Sequence, residues 1–168
     1  MRQLKKLRRS RKRFITSHQE NRIQTLSELH FMGIIIDYSP LPGLEKTGVL
    51  APMIPVTFKN GRSEFSTIAL VDSGAEAGII STVIADKLNI KWRKIPAKSG
   101  FSIGSNFRFH PVDINAQIYD HKFSLKLNVV EGIFAFKCIL GRKDVFKRAK
   151  ICFEGYKNQF EVIFREFN

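Results

Sequence analysis

The sequence predicts an all-β domain. Short runs of alternating or β-branched residues follow one another with turn residues between them, which is typical of a barrel or sandwich. Hydrophobic residues make up 43% of the 168 residues and charged residues 26%, an ordinary balance for a globular domain with its own core. No apolar run approaches the ~20 residues that a membrane-spanning helix needs, so we expect a soluble protein.

The basic charge is concentrated at the N-terminus. Residues 1–13 contain eight of the 28 Lys and Arg and no acid, in a chain of net charge +13. Residues 2–13 therefore predict either contact with nucleic acid or another anionic surface, or a disordered, solubilising tail. No apolar core follows the charges as it would in a secretory signal, so we expect an intracellular, cytoplasmic protein.

Proline and turn residues suggest a domain boundary near residue 45. Residues 14–32 allow a short helix and residues 33–38 a strand, before the prolines of residues 39–43. We therefore predict a basic tail and N-terminal extension at 1–45 and a folded domain at 46–168. Strands are expected at residues 53–59, 66–71, 112–118, 123–130, 134–140, 151–153 and 160–164. Short helices are expected at residues 82–88 and 143–149.

Turns connect several of these strands. Asn60-Gly61 predicts a hairpin, because both residues tolerate positive φ. Residues 99–106 are rich in Gly and Ser and predict a hairpin tip. The strand at 160–164 would leave an unpaired edge in a monomer, and pairing across a two-fold axis is one way to cover it. The strand at 33–38 is another candidate for the same sheet.

An apolar strand, Ala69-Leu70-Val71, leads directly into Asp72. The tight turn that follows is Asp72-Ser73-Gly74-Ala75, in which the Ser hydroxyl can hydrogen-bond locally and Gly74 allows close backbone approach. Asp-Ser-Gly alone is an ordinary turn sequence. A second motif makes a functional role for Asp72 more specific. Its residues, Cys138-Ile139-Leu140-Gly141-Arg142, predict a buried strand that ends in glycine and arginine.

With these motifs in this order and a flap-like hairpin between them, residues 50–165 resemble the retropepsin-like family of aspartic proteases. The resemblance implies the closed β-barrel of the acid-protease fold, with one short helix after the second motif. It implies that Asp72 is the catalytic aspartate. It implies loop support and substrate backbone contact by Ser73, Gly74, Ala75, Ile139, Leu140 and Gly141. It implies a flap formed by Gly100, Phe101, Ser102, Ile103, Gly104 and Ser105. An ion pair between Glu76 and Arg142 is a further implication.

The resemblance also implies a symmetric homodimer. The sequence contains one Asp-Ser-Gly and no Asp-Thr-Gly, so a second copy would supply the second Asp72. Two carboxylates held close together share a proton, and one can then act as a base toward water while the other polarises the scissile carbonyl. The expected activity is that of an aspartic endopeptidase acting on an extended peptide or protein, with an acid optimum.

Other chemistries have less support. Cys138 and Cys152 lie in apolar runs and predict reduced core cysteines, and the four histidines lack metal-ligand spacing, so we expect no metal and no cofactor. Trp92, among cations, predicts a packing residue more than a base-stacking one. Two alternatives stay open: a catalytically silent peptide-binding module of the same fold, and a nucleic-acid-associated protein acting through the basic tail.

Overall fold

β-strands account for most of the part of the chain that this computed structural model describes, residues 33–102, 105–132 and 136–165. One of the two compact units of the chain runs from Ile34 to Asn168. The predicted tail and the predicted helix at 14–32 lie outside the described residues. The strands are β1 (Ile34–Asp37), β2 (Ser39–Pro40), β3 (Leu50–Ala51), β4 (Met53–Asn60), β5 (Ser63–Val71), β6 (Ile79–Ser81), β7 (Lys98–Ser102), β8 (Ser105–Ile118), β9 (His121–Val130), β10 (Cys138–Leu140), β11 (Ala149–Glu154) and β12 (Gln159–Phe164).

Six strands close into a barrel, as the resemblance implies. Their order around the ring is β4, β5, β10, β6, β9 and β8, and β8 pairs back to β4 with Ala116 opposite Phe58. The β4–β5 hairpin forms at the predicted position. Asn60 faces Ser63 across it, and Gly61 has a φ of 57°, a left-handed conformation that glycine adopts without steric cost.

Apolar side chains from the inner faces of the strands fill the barrel. In β4, Ile54, Val56 and Phe58 are buried, while Pro55 is exposed and Thr57 is half-buried, which is the period-two pattern of a strand with one face in the core. Ile80 and Leu140 from neighbouring strands are also fully buried. Burial of each such side chain contributes about 1.5–3 kcal/mol. In the described ranges, no helix is both long and apolar enough to cross a membrane.

A second sheet joins the first and last strands of the compact unit. β12 lies between β1 and β11 and pairs antiparallel with both, so that Ile36 and Phe153 both face Phe160. The predicted strand at 33–38 is confirmed as β1. The prediction that residues 160–164 form an unpaired edge is wrong, because β1 occupies that side of β12. The outer strands of this sheet are β1 and β11.

One short α-helix, α1 (Thr82–Lys87), lies within the described ranges, and it confirms the prediction at 82–88. Ser81 precedes it as N-cap, and its Oγ accepts a hydrogen bond from Ile84 N at 3.4 Å. The segment 143–149 differs from its prediction and forms a single 3-10 turn, Val145–Lys147. β11 already begins at Ala149, so too few residues remain for α-helical hydrogen bonds.

Candidate active site

The two sequence motifs lie side by side in the barrel. β5 and β10 are parallel neighbours, with Ile139 opposite Leu70 and Leu140 opposite Val71. The hydrogen bonding between them continues past the end of β5, because Asp72 N donates to Leu140 O over 3.0 Å. The fold thus brings the Asp-Ser-Gly-Ala turn against the Ile-Leu-Gly strand despite their separation in sequence.

Asp72 is the first residue of a tight turn. Gly74 N donates to its Oδ1 over 2.8 Å, and Ala75 N donates to its main-chain O over 3.3 Å. The Asp72 side chain is half-buried, and Ser73 is exposed. No described residue hydrogen-bonds Oδ2, so this oxygen can accept a proton from a bound water. A depression of about 280 Å³ beside the turn is lined by Asp72 and Ser73 together with Pro52, Leu70, Val71 and Phe153.

Gly141 allows the two loops to approach each other. A Cβ on this residue would lie 2.8 Å from the carbonyl carbon of Ala77 and 2.9 Å from Ala75 O, closer than real side chains come to backbone. In the same place, Arg142 N donates to Ala75 O over 3.0 Å. The glycine of the second motif is therefore packed directly against the loop that follows Asp72.

Asp144 is a buried carboxylate whose role the sequence analysis missed. It is 2% exposed, and its Oδ2 accepts hydrogen bonds from Gly78 N and, at 3.3 Å, from Gly141 N. No hydrogen bond reaches its buried Oδ1 from any described residue. Burial raises the pKa of Asp144, while the two N–H donors and the charge of Lys147 act in the opposite direction. Asp144 thus ties the loop after Asp72 to the turn after β10.

A sequence signal for this role was weak. Asp144 follows Gly141 by three residues, as in a turn that closes on its own side chain, and Gly78 lies at the start of a strand. However, an aspartate next to Lys143 is usually exposed to solvent. Its burial depends on contacts between segments far apart in the chain.

Glu76 pairs with Lys143 and not with Arg142 as predicted. The Lys143 Nζ lies 2.6 Å from Glu76 Oε1, between two exposed side chains. The backbone register explains the change: Arg142 N faces Ala75 O, whereas Lys143 N faces Glu76 O. The hydrogen bond and the charge of Lys143 hold the pKa of Glu76 below its ordinary value, with a smaller effect of the Arg142 charge.

The segment expected to act as a flap forms the β7–β8 hairpin. Pairing runs from Lys98 opposite Phe109 to Ser102 opposite Ser105. Among the described strands, β7 pairs with β8 only, so the hairpin extends beyond the closed ring. Gly100 is half-buried and Phe101 is 80% exposed. Ile103 and Gly104, predicted at the tip, lie outside the described residues.

The base of this hairpin is fixed by His110. Its ring is buried, with Nδ1 2.7 Å from Ile95 O and Nε2 2.7 Å from Glu131 Oε1. Trp92 packs edge-on against this ring and is buried, which confirms it as a packing residue. The hydrogen bond from His110, with the nearby Arg108 and Arg93 charges, lowers the pKa of Glu131.

Cys138 offers no nucleophile. Cys138 is buried and Cys152 half-buried, and neither forms a disulfide. Burial, with the nearby Asp144 charge, raises the pKa of the Cys138 thiol far above its ordinary value, so the reactive thiolate is suppressed. Within the described ranges, no group of three or more His, Cys, Asp and Glu side chains is placed to hold a metal ion.

The chain has a retropepsin-like fold. A retropepsin-like aspartic protease from Rickettsia conorii aligns with a TM-score of 0.56 at 19% identity, over 78% of this chain and 90% of that one. The retroviral protease-like domain of Ddi1 from Leishmania major aligns with a TM-score of 0.50 at 20% identity, over 70% of this chain and 96% of that one. EIAV protease, solved with the inhibitor HBY-793, aligns with a TM-score of 0.45 at 18% identity, over 55% of this chain and 82% of that one.

The sequence itself carries little of this likeness. No protein-family model matches it, and no curated protein matches it. At 19–20% identity the structural likeness defines the fold and leaves the activity to be argued from the site.

Proposed function

We propose that this protein is an aspartic endopeptidase, active as a symmetric homodimer in which two Asp72 carboxylates activate a water molecule. The observation that carries the proposal is the geometry of Asp72. Its backbone is fixed between Leu140 and Ala75, one carboxylate oxygen is held by Gly74 N, and no described residue bonds the other oxygen. A fixed carboxylate with one available oxygen suits a general base.

A second copy completes the proposed site. These 168 residues contain one Asp-Ser-Gly, and a single carboxylate cannot serve as both base and acid in the same step. When two Asp72 side chains meet at a two-fold axis, repulsion between their charges keeps one of them protonated. The ionised carboxylate takes a proton from water, and the protonated one donates a hydrogen bond to the scissile carbonyl.

The surroundings of Asp72 favour an extended peptide with apolar side chains. Leu70 and Phe153 line the depression beside the carboxylate, and apolar walls of this kind accept apolar groups of a substrate. In the proposed complex, the β7–β8 hairpin closes over a peptide bound in extended form. The two unpaired cysteines support the further proposal of a reducing, intracellular compartment.

The test is cleavage of a peptide library by the purified protein over about pH 3–8, beside Asp72→Asn and Asp113→Asn. Asp113 is an exposed aspartate on β8 and serves as the matched control. We expect cleavage by the wild type and by Asp113→Asn, with a loss of about 10³-fold or more in Asp72→Asn. We also expect specific activity to fall on dilution, as a dimer dissociates.

Other outcomes assign the fold a different role. Peptide binding without cleavage, in a protein that sedimentation shows to be dimeric, would favour the silent peptide-binding module. Cleavage that persists in Asp72→Asn would remove Asp72 from the mechanism. Salt-sensitive binding to nucleic acid that is lost when residues 1–13 are deleted would support a tail-dependent role, with or without proteolysis.

A further inference from the structure

A basic cleft lies outside the Asp72 site. It has a volume of about 740 Å³ and is formed by β8, β9, the turn after β10 and the ends of the β11–β12 hairpin. Its described lining includes two carboxylates, Asp113 and Asp144. It also includes five cationic residues: Lys126, Lys143, Lys147, Arg148 and Arg165. The cleft therefore gathers an excess of positive charge in a concave surface.

Backbone contacts hold the cations together. Arg165 N donates to Arg148 O over 2.8 Å, which joins the end of β12 to the start of β11. The Arg148 guanidinium in turn reaches Ser124 O on β9, at 3.5 Å. No described carboxylate forms an ion pair with Lys126, Lys147 or Arg165. Like charges converge here by the folding of three separate segments, and a bound anion would relieve their repulsion.

The charge and the volume together restrict the ligand. A cleft of this size matches a small molecule. A terminal phosphate carries about −1.5 to −2 charges near neutral pH, so two or three phosphate groups balance the charge of the cations. A ligand with carboxylate groups would need about twice that number of groups to supply the same charge. Arg165 can bind phosphate oxygens in bidentate fashion, and lysines add point charges. The basic residues 1–13 of this chain carry the wrong sign to fill the cleft.

We propose that this cleft binds a compact ligand with two or more clustered phosphate groups. Such a site is independent of any proteolytic activity, and its test requires none.

The cleft also contacts the loop that follows Asp72. Lys143 lines the cleft and at the same time pairs with Glu76, through Nζ to Oε1 at 2.6 Å and through a backbone hydrogen bond of 2.8 Å. A phosphate ligand competes with Glu76 for the Lys143 ammonium group. Ligand binding is therefore expected to raise the pKa of Glu76 toward its ordinary value, which links the cleft to the segment beside the catalytic turn.

The experiment titrates the full chain with sodium tripolyphosphate by calorimetry. The double variant Lys147→Ala/Arg165→Ala removes two exposed cations of the cleft, and Lys87→Ala/Lys98→Ala removes two exposed cations elsewhere. We expect the cleft variant to lose affinity by about tenfold or more and the control variant to bind as the wild type does. Circular dichroism confirms that both variants are folded.

Three outcomes would overturn the proposal. One is equal affinity in the wild type and the cleft variant, which would assign the binding to the basic tail. Another is a single-stranded oligonucleotide that binds more tightly than tripolyphosphate at equal phosphate concentration, which would make this a nucleic-acid surface. The last is polyglutamate that competes equally well, which would mean an unselective basic patch.

Discussion

The neighbouring parallel strands β5 and β10 of the barrel wall are each followed by an aspartate. One of the two aspartates is close to solvent and the other is buried. Asp72 directly follows β5, is half-buried and has one hydrogen bond to its carboxylate, from Gly74 N. Asp144 lies in the turn after β10, is 2% exposed and accepts from Gly78 N and Gly141 N. The same residue type is thus available for chemistry in one turn and is part of the framework in the other.

This contrast shows how the site is built. A carboxylate that must exchange protons with a bound water needs an unoccupied oxygen near solvent. A carboxylate that joins two loops needs buried donors on both of them. Asp144 supplies the second function, so that Asp72 can remain available. The predictions below test this division of roles, from the largest expected effect to the smallest.

Asp144→Ala is expected to lower the free energy of unfolding by about 2–5 kcal/mol, because it leaves Gly78 N and Gly141 N buried without an acceptor. Urea denaturation followed by fluorescence measures this change. In the matched variant Asp72→Ala, the N–H of Gly74 is exposed and can bond water, so we expect a loss below about 1 kcal/mol. Equal losses in the two variants would contradict the contrast.

Gly141→Ala is expected to destabilise the protein by about 1–3 kcal/mol, since the added Cβ would lie 2.8 Å from the Ala77 carbonyl carbon. Thermal unfolding measures the effect. Gly155→Ala is the control: a Cβ there has no neighbour within 4 Å, so a change within about 0.5 kcal/mol is expected. A tolerated Gly141→Ala would mean that the loop after Asp72 can move away freely.

The raised pKa of Asp144 predicts a pH dependence of stability. A raised folded-state pKa means that the folded protein binds the proton more tightly than the unfolded chain. The resulting stabilisation is fully present below the ordinary pKa of aspartate and is lost as the pH rises through the folded-state pKa. The slope is at most about 1.4 kcal/mol per pH unit.

Asp144→Asn removes this titration while keeping a side-chain acceptor. Denaturant unfolding of both proteins at a series of pH values should therefore show the wild type losing stability relative to Asp144→Asn as the pH rises. A constant difference, or one of the opposite sign, would mean that burial does not dominate the pKa of Asp144.

The smallest effect concerns the exposed pair next to Asp72. Lys143→Met should let the pKa of Glu76 rise toward its ordinary value, because the hydrogen bond and charge that lower it are removed. A carboxyl-detected NMR titration measures the shift. Glu154 provides an internal control, since the hydrogen bond from Lys157 keeps its pKa lowered in the same variant. An unchanged Glu76 would assign its shift to Arg142, as the resemblance originally implied.

The features that the sequence predicted are those that depend on local patterns. The Asn60-Gly61 hairpin, the strand that ends at Val71 and the turn at Asp72 each follow from a few neighbouring residues. The likeness of two short motifs to a known family added the closed barrel, which composition and periodicity alone left open between barrel and sandwich. The side-by-side placement of β5 and β10 is consistent with that likeness.

The features that sequence analysis missed depend on contacts between distant segments. The burial of Asp144 requires Gly78, which lies 66 residues away in the chain. Glu76 pairs with Lys143, where the resemblance implied Arg142, and this difference reflects a shift of one residue in the backbone register. The sequence left two candidate neighbours for β12 open, a second copy across a two-fold axis and the strand at 33–38, and the pairing with β1 decides between them. Local patterns carry no information about these pairings.

The parallel pairing of β5 with β10 also sets an order in time. During synthesis, the residues of β5 emerge first, but the backbone acceptor of Asp72 N is missing until Leu140 has been made. The acceptor of Gly78 N, which is the Asp144 side chain, is made later still. The ring closes only when β10 enters between β5 and β6. A nascent chain that ends before this point carries Asp72 on an unfinished turn. The backbone contacts that fix Asp72 therefore form only after most of the chain has been made.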